Sequence, residues 1–318
     1  MTYHLLSIHQ FEIKEIFEIF NSIPIIKKHI SVPISRLACS NKIIVNAFFE
    51  PSTRTSLSFA SAMYRLGGNV ITFNKEYSSI NKGETFPDTI RTISSFGDIL
   101  ILRHPERGIM MKAIENSQIP IINAGDGDGE HPSQAILDLY TIYHKFGYEF
   151  QTKTILFVGD IKNSRTIHSL LELLHMFPSM KIYFLPFHNK FPTNIMINKV
   201  KQVHNQSDNL IFTFSNVKFD LFDIVYCTRN QTERESSWVM TDSIKHEKPD
   251  FIINNYFVNK LNDDCILLHP LPRNQELNDD VDSNHRSYFF KQMELGVEVR
   301  MAILEFVMNK NNKSLLDL

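Results

Sequence analysis

The sequence predicts an α/β protein with two doubly wound parallel-sheet domains. Eight short apolar runs lack the polar alternation of half-exposed strands, and helical patterns lie between these runs. Alternating strands and helices are typical of parallel sheets covered by helices. The length of 318 residues is sufficient for two domains of about 150 residues each.

The first half opens with an amphipathic stretch that we interpret as a packing helix. Its apolar residues at helical spacing are Ile13, Ile16, Phe17 and Phe20. The strand candidates that follow are residues 42–49, 69–73, 98–103 and 119–124. Helical patterns cover residues 54–67 and 133–147, and the second has Ile136, Tyr140, Tyr143 and Phe146 on one face.

The second half repeats this organisation after a break near residues 146–153. Its strand candidates are residues 153–160, 181–187, 223–228 and 265–272. We therefore predict a first domain of residues 1–147, completed by a C-terminal helix at 287–318. Residues 148–286 form the second predicted domain.

The composition excludes several classes of protein. The net charge of −2 provides no overall basic field for nucleic acid. No stretch reaches the roughly 20 apolar residues of a membrane span, and the acids among the first apolar residues are unlike a secretory signal. Cys39, Cys227 and Cys265 lack metal-ligand spacing, which indicates buried free thiols in a reducing compartment. We expect a soluble, cytoplasmic protein without a nucleic-acid or membrane partner.

Polar motifs follow six of the predicted strands. In doubly wound folds, ligands bind at the carboxyl ends of the strands, so these positions indicate ligand sites. The motifs come after Phe49, Arg103, Ala124, Val158, Cys227 and Leu268.

The segment FFEPSTRTSLSF (48–59) places Ser52, Thr53, Arg54 and Thr55 between a strand and a helix. Backbone N–H groups and the macrodipole at a helix N-terminus favour a phosphate group. Arg54 adds a permanently charged, two-pronged donor. The alternative is an ordinary helix cap, since serine and threonine are common cap residues.

Two further groups in the first half are candidates for the same ligand. Arg103 ends a buried strand, where a cation needs a partner. That partner is either a second contact on a phosphate or an ordinary salt bridge. In the glycine-rich loop NAGDGDGEHPSQ (123–134), His131 and Gln134 are three residues apart and can hold a carbamoyl-like group. The alternative is a capped helix with an incidental histidine.

The second half offers candidate ligands for a carboxylate and an amino group. Arg165 lies near the start of a helix, and Arg229 and Gln231 follow a strand. Surface ion pairs are the alternative for both arginines. In HPLPR (269–273), the carbonyls of Pro270 and Leu271 can accept hydrogen bonds from an –NH2 group, unless the segment is only a rigid turn. Taken alone, Lys82 indicates no more than a solvated lysine.

Together these motifs resemble the aspartate carbamoyltransferase catalytic chains from about residue 40 to about residue 310. The resemblance lies in an ordered set of motifs, which is far more specific than any single one. The set is FFEPSTRTSLSF, KGET, LRHP, NAGDGxGEHPSQ, VGDxxxxRTxHSL, TRxQxER and HPLPR. HPLPR and TRxQ are similar to the aspartate enzyme rather than to the ornithine enzyme.

The resemblance implies the aspartate/ornithine carbamoyltransferase fold and transfer of a carbamoyl group from carbamoyl phosphate to L-aspartate, in pyrimidine (UMP) synthesis. Its implied ligands of carbamoyl phosphate are Ser52, Thr53, Arg54, Thr55, Arg103, His131, Gln134, Leu271 and Pro272. Its implied ligands of aspartate are Lys82, Arg165, Arg229 and Gln231. The catalytic groups implied are Arg54, Thr55, Lys82, Arg103 and His131.

The same resemblance implies a homotrimer with shared active sites. Ser78 and Lys82 would enter the site of a neighbouring subunit, so Lys82 becomes a catalytic candidate. No metal or organic cofactor is implied, whereas regulatory chains or pathway enzymes are conceivable partners.

Four positions depart from the family pattern. Ser56 replaces an arginine of many members, and Asn81 replaces a lysine of some. Leu295 and Glu298 stand where an asparagine and an aromatic residue are common, so they concern helix packing more than ligands. A catalytically silent homologue and a transferase for another amino acid are the alternative functions.

Overall fold

The structure is a computed structural model that describes residues 2–29, 38–206, 209–231 and 251–316. Its strands are β1 Ile43–Phe48, β2 Asn69–Asn74, β3 Ile99–His104, β4 Ile121–Asp126, β5 Thr154–Gly159, β6 Lys181–Pro186, β7 Ile224–Cys227 and β8 Ile266–Leu268. Its α-helices are α1 Ile13–His29, α2 Thr53–Arg65, α3 Phe86–Ser94, α4 Ile109–Asn116, α5 Pro132–Phe146, α6 Arg165–Leu174, α7 Asn194–Val203, α8 Asn255–Val258 and α9 Phe289–Leu316.

All eight predicted strands form, and every pairing between them is parallel. They build two four-stranded sheets, in the orders β2-β1-β3-β4 and β6-β5-β7-β8. Both orders change direction at the first strand of the series, as in a doubly wound fold. The predicted fold class is confirmed.

Strand β2 differs from the predicted burial on both faces. Ile71 is 41 % exposed, and Val70 and Phe73 are only half-buried. The strand lies at an edge of its sheet, but β4 at the other edge is buried, so edge position alone does not account for the exposure.

The contacts of the chain divide it into two compact units. Unit 1 comprises Met1–Leu137 with Glu294–Leu318, and unit 2 comprises Asp138–Met293. The division falls within α5 and within α9. The domain boundaries stated above stay a prediction, because contacts alone do not establish which residues fold independently.

Helix α5 is buried on all sides from Pro132 to Ile142, rather than on one face. In unit 1, the two residues of α9 that differ from the family pattern have packing roles. Leu295 is fully buried, and Glu298 forms an ion pair with Lys27 of α1 at 2.8 Å.

The three cysteines are buried and unpaired, as predicted. Burial raises the pKa of the Cys39 and Cys265 thiols to about 12, so both stay protonated at neutral pH. Within the described residues, no helix combines the length and the apolar character needed to cross a membrane.

Candidate active site

Unit 1 brings three of the predicted motifs to one edge of its sheet. Phe48 of β1 lies opposite Arg103 of β3, and His104 of β3 lies opposite Asp126 of β4. The carboxyl ends of three parallel strands are therefore neighbours, and each leads into a polar segment. Those segments are 52–55, 103–105 and 125–134.

Ser52 occupies the N-cap position of α2, but its side chain forms no capping hydrogen bond. Within the first turn, Thr53 and Arg54 are exposed and Thr55 is buried. The alternative of an ordinary helix cap is thus correct for the position of Ser52, but the side-chain hydrogen bond of such a cap is not formed. The first turn of α2 therefore combines a helix N-terminus that lacks a side-chain cap with an exposed guanidinium and a buried hydroxyl.

Arg103 forms an ion pair with Glu50, with 2.6 Å between Nη2 and Oε1. Both side chains are largely buried, and the backbone N–H of Phe49 donates to the Arg103 carbonyl at 2.8 Å. The salt-bridge alternative for Arg103 is thus present in this structure. It places a fixed cation at the same edge as the first turn of α2.

The glycine-rich loop after β4 is fixed to the loop after β3. The Gly127 N–H donates to the His104 carbonyl at 2.8 Å, and the Gly108 N–H donates to the Asp126 carboxylate at 2.9 and 3.1 Å. Gly127 has a φ of +52°, and an added Cβ would lie 2.6 Å from the Pro105 carbonyl oxygen. Only glycine fits this approach without displacing the backbone.

This loop delivers His131 and Gln134 to the start of α5, where both are buried. His131 is only 3 % exposed, and its Nδ1 lies 3.5 Å from the Ser133 hydroxyl. The Gln134 N–H donates to the His131 carbonyl at 3.0 Å. The two residues are thus held in one turn, as their spacing predicts.

Ser78 and Lys82 lie on the segment between β2 and α3. Lys82 is exposed at the end of a 3-10 helix, Ser79–Lys82. The Ser78 hydroxyl donates to the Lys75 carbonyl at 2.7 Å. The Lys82 side chain is therefore accessible to solvent.

Unit 2 has a corresponding edge. Val158 of β5 pairs with Cys227 of β7, and Tyr226 of β7 pairs with Leu268 of β8. Gly159 ends β5 with a φ of +111°, and an added Cβ would lie 2.2 Å from the Thr228 carbonyl oxygen. This close approach holds the loops after β5 and β7 side by side.

Asp160 connects these two loops. Its fully buried carboxylate accepts hydrogen bonds from the N–H groups of Asn163 and Gln231, both at 3.0 Å. The Gln231 amide donates to the Arg229 carbonyl at 3.3 Å. Arg229 donates to the Asn230 carbonyl at 2.9 Å. The last three residues of the TRxQxER motif, 232–234, lie outside the described residues.

Arg165 begins α6 and is only 5 % exposed. The Ser164 hydroxyl caps this helix by accepting the Ile167 N–H at 3.5 Å. The surface ion pair proposed as the alternative for Arg165 is wrong, because a surface pair requires an exposed side chain. A buried cation at the carboxyl edge of a sheet suits a carboxylate ligand.

The HPLPR segment forms a sharp turn after β8. Leu271 has a φ of +53°, and the Leu271–Pro272 peptide bond is cis. The Leu271 N–H donates to His269 Nδ1 at 2.8 Å, and His269 Nε2 lies 3.1 Å from Glu276 Oε1. Burial raises the pKa of the Glu276 carboxyl, but the hydrogen bonds from His269 and the Asn274 N–H outweigh it, so the pKa lies below its usual value.

Sequence reasoning missed the acids that organise both edges: Glu50, Asp126 and Asp160. One signal was available for Asp160, because an acid directly after a buried strand requires nearby donors. Nothing in the local sequence identifies the partner of Glu50. Within the described ranges, no cluster of three or more His, Cys, Asp or Glu side chains is arranged to hold a metal ion.

Family models match both halves of the chain. Residues 3–144 match "Aspartate/ornithine carbamoyltransferase, carbamoyl-P binding domain", and residues 151–307 match "Aspartate/ornithine carbamoyltransferase, Asp/Orn binding domain". The fold and its two polar edges define a two-unit α/β protein with a ligand-binding edge in each unit. More particularly, the chain belongs to the aspartate/ornithine carbamoyltransferase family.

Several relatives extend over nearly the whole chain. The aspartate carbamoyltransferase catalytic subunit of Methanococcus aeolicus is 39 % identical over 98 % of this chain and 99 % of its own length. A multifunctional protein of Dictyostelium discoideum is 38 % identical over 96 % of this chain, which spans only 13 % of that relative.

Solved structures of aspartate transcarbamoylases are also similar to this chain. The aspartate transcarbamoylase of Trypanosoma cruzi in complex with aspartate and phosphate is 35 % identical. It has a TM-score of 0.83, with 95 % of each chain covered. This agreement includes the two-sheet organisation described above.

Proposed function

We propose that the chain transfers the carbamoyl group of carbamoyl phosphate to the amino group of L-aspartate. The products are N-carbamoyl-L-aspartate and phosphate, in an early step of de novo pyrimidine (UMP) synthesis. The observation that carries this proposal is that the family's polar motifs lie at neighbouring carboxyl ends of parallel strands, where such folds bind ligands.

In this proposal, unit 1 binds the phosphate group. Ser52, Thr53, Arg54 and Thr55 supply the first turn of α2, and its N–H groups and macrodipole favour an anion. Arg103 adds a second cation when the phosphate replaces Glu50 as its partner. An arginine fork fits two phosphate oxygens at once.

His131 and Gln134 bind the carbamoyl group, together with Thr55. Leu271 and Pro272 belong to the turn of unit 2 that we assign to the –NH2 end of the same group. The amine lone pair attacks the carbonyl carbon and a C–N bond forms. The C–O bond to phosphate then breaks, and the departing phosphate takes the amine proton.

Negative charge grows on the carbonyl oxygen during this attack. Arg54, Thr55 and His131 form the proposed oxyanion hole, and such preorganised donors contribute about 2.7–4 kcal/mol each. Most of the rate enhancement then comes from positioning and electrostatics. No metal or organic cofactor takes part in the proposed reaction.

Arg165, Arg229 and Gln231 bind aspartate in the proposal. Arg165 is buried at the start of α6, where a bound carboxylate would interact with its charge in surroundings of low polarity. Arg229 and Gln231 donate to main-chain carbonyls of their own loop, and these contacts are exchanged for the second carboxylate.

We also propose a cytoplasmic homotrimer in which Ser78 and Lys82 serve the active site of the neighbouring subunit. The exposure of Lys82 on its 3-10 turn supports this role. Regulatory chains and pathway enzymes are further proposed partners, since relatives include multifunctional proteins.

The deciding experiment measures carbamoyl aspartate formation by the purified chain from both substrates. Binding of N-phosphonacetyl-L-aspartate is measured in parallel, because tight binding needs both a phosphonate site and a dicarboxylate site. We expect turnover and tight binding. Tight binding without turnover would identify a silent homologue, and weak binding would indicate a different amino acid substrate.

A further inference from the structure

His269 has a defined hydrogen-bonding role that the proposed reaction does not yet use. Its ring is 1 % exposed at the end of β8. The Leu271 N–H donates to Nδ1 at 2.8 Å. Because an amide N–H can only donate, Nδ1 is the acceptor and the ring hydrogen lies on Nε2. Nε2 then donates to Glu276 Oε1 at 3.1 Å.

This contact controls a constrained part of the backbone. Pro270 and Pro272 have no N–H, so Leu271 provides the one backbone donor of residues 270–272. Leu271 has a φ of +53°, a left-handed conformation that costs a leucine about 1–2 kcal/mol. Such a conformation persists only where surrounding contacts hold it, and the bond to His269 is such a contact.

His269 is itself held by a buried polar chain within unit 2. Its backbone N–H donates to Gln292 Oε1 at 3.0 Å, and Gln292 Nε2 donates to Asp138 Oδ1 at 2.6 Å. The Tyr226 hydroxyl donates to Asp138 Oδ2 at 2.7 Å. Burial, reinforced by the Asp138 charge, raises the Tyr226 pKa well above its usual value, so the hydroxyl remains a donor.

Glu276 completes the arrangement from the other side. Its Oε1 accepts the Asn274 N–H at 2.9 Å in addition to the His269 ring. The carboxylate therefore orients the imidazole and also closes the turn that follows HPLPR. Both ring nitrogens of His269 therefore have a hydrogen-bond partner inside the protein.

We propose that His269 is a positioning residue for carbamoyl phosphate. The Leu271 N–H that it holds lies in one peptide plane with the Pro270 carbonyl, so His269 sets the direction of that carbonyl. The inference rests on the proposed function, in which this turn accepts a hydrogen bond from the carbamoyl –NH2. His269 itself does not touch the substrate. It acts through the backbone of the turn.

The test compares His269→Ala with His269→Asn and with His285→Ala, an exposed histidine of the same unit. Asparagine can place its carbonyl oxygen where Nδ1 accepts the Leu271 N–H. Two constants are measured for each variant: KM for carbamoyl phosphate and Ki for inorganic phosphate, which lacks the carbamoyl group.

We expect His269→Ala to raise KM for carbamoyl phosphate about tenfold, the effect of one lost buried hydrogen bond. Ki for phosphate stays unchanged, His269→Asn recovers most of the loss, and His285→Ala matches wild type. An unchanged KM in His269→Ala, an equal change in both constants, or no recovery in a folded His269→Asn would overturn the inference.

A second measurement does not depend on activity or on the alanine variant folding. Nitrogen NMR of histidine-labelled wild-type protein is expected to show a neutral His269 ring with its hydrogen on Nε2. A hydrogen on Nδ1 would overturn the inference. Wild-type protein that carbamoyl phosphate does not saturate would instead overturn the proposed function and leave the tautomer result standing.

Discussion

At the scale of single residues, the two cations of the unit 1 edge differ in their surroundings. Arg54 is exposed on the first turn of α2, whereas Arg103 is largely buried and paired with Glu50. Substitutions at exposed positions usually change stability little. The substitution of Arg54 therefore separates a loss of function from a loss of stability.

We expect Arg54→Ala to reduce kcat about 10²–10³-fold, because it removes one preorganised donor to the developing charge. The free energy of unfolding should change by no more than about 0.5 kcal/mol, as for other exposed positions. Carbamoyl aspartate formation and urea unfolding measure the two effects. Arg65→Ala, at the opposite end of α2, is the control and should retain full activity. A comparable loss in both variants would contradict the assignment.

At the scale of elements, the parallel pairing of β5 with β7 positions the aspartate candidates. The loops after these strands meet at Gly159 and Thr228, and Asp160 joins them through the Gln231 N–H. A change at this crossing should therefore alter substrate binding as well as stability.

Gly159→Ala should raise KM for aspartate and lower the free energy of unfolding by more than about 1–2 kcal/mol. That amount is the cost of a left-handed alanine alone, and the clash with Thr228 adds to it. Gly147→Ala is the matched control in the same unit, since Gly147 has a φ of +56° with nothing within 4 Å of an added Cβ. It should show only the conformational cost. Equal effects in the two variants would exclude the steric explanation.

Much of the element scale could be predicted from the sequence. The strands were recognisable because continuous apolar runs such as 153–160 are buried on both faces, and their observed ends lie close to the predicted ones. The exposure of β2 was not recognisable, because its apolar residues resemble those of the buried strands. The pairs Arg103–Glu50 and Asp160–Gln231 likewise depend on which strand ends become neighbours, and residue patterns do not encode this locally.

At the scale of the whole molecule, one buried and two half-buried histidines contribute to the response to acid. Burial lowers the pKa of His4, His104 and His204 below the usual 6.5. His204 Nδ1 donates to the Met180 carbonyl at 2.9 Å, and Nε2 lies 3.1 Å from His175 Nδ1. The folded state therefore favours the neutral rings.

At a pH between the lowered pKa of the folded state and the usual pKa of the unfolded state, these histidines bind more protons in the unfolded chain. The contribution of the neutral histidines to the free energy of unfolding is fully present above pH 6.5. It is lost as the pH falls through their lower pKa in the folded state. Urea unfolding from pH 7.5 to about pH 5 should show this loss. His204→Gln should make the decline shallower, whereas exposed His188→Gln should not. An unchanged slope in His204→Gln would contradict the prediction.

The proposed trimer makes a further prediction about the assembled molecule. Arg54→Ala and Lys82→Ala chains should each lose most of their activity, because each removes one contribution to every site. After subunit exchange, hybrid trimers should regain activity at sites that combine an intact Arg54 with an intact Lys82 of a neighbour. Exchange is verified by native mass spectrometry. Complete exchange without regained activity would show that the sites are not shared.

The Glu50 partner of Arg103 has a consequence for selectivity among anions. A carboxylate attached to the same chain competes with any incoming anion at an effective concentration in the millimolar range. Singly charged ions such as chloride or acetate are therefore poor competitors. In the proposed site, a doubly charged phosphoryl group would gain more from the arginine and from the α2 N-terminus together, so Glu50 would select against singly charged anions.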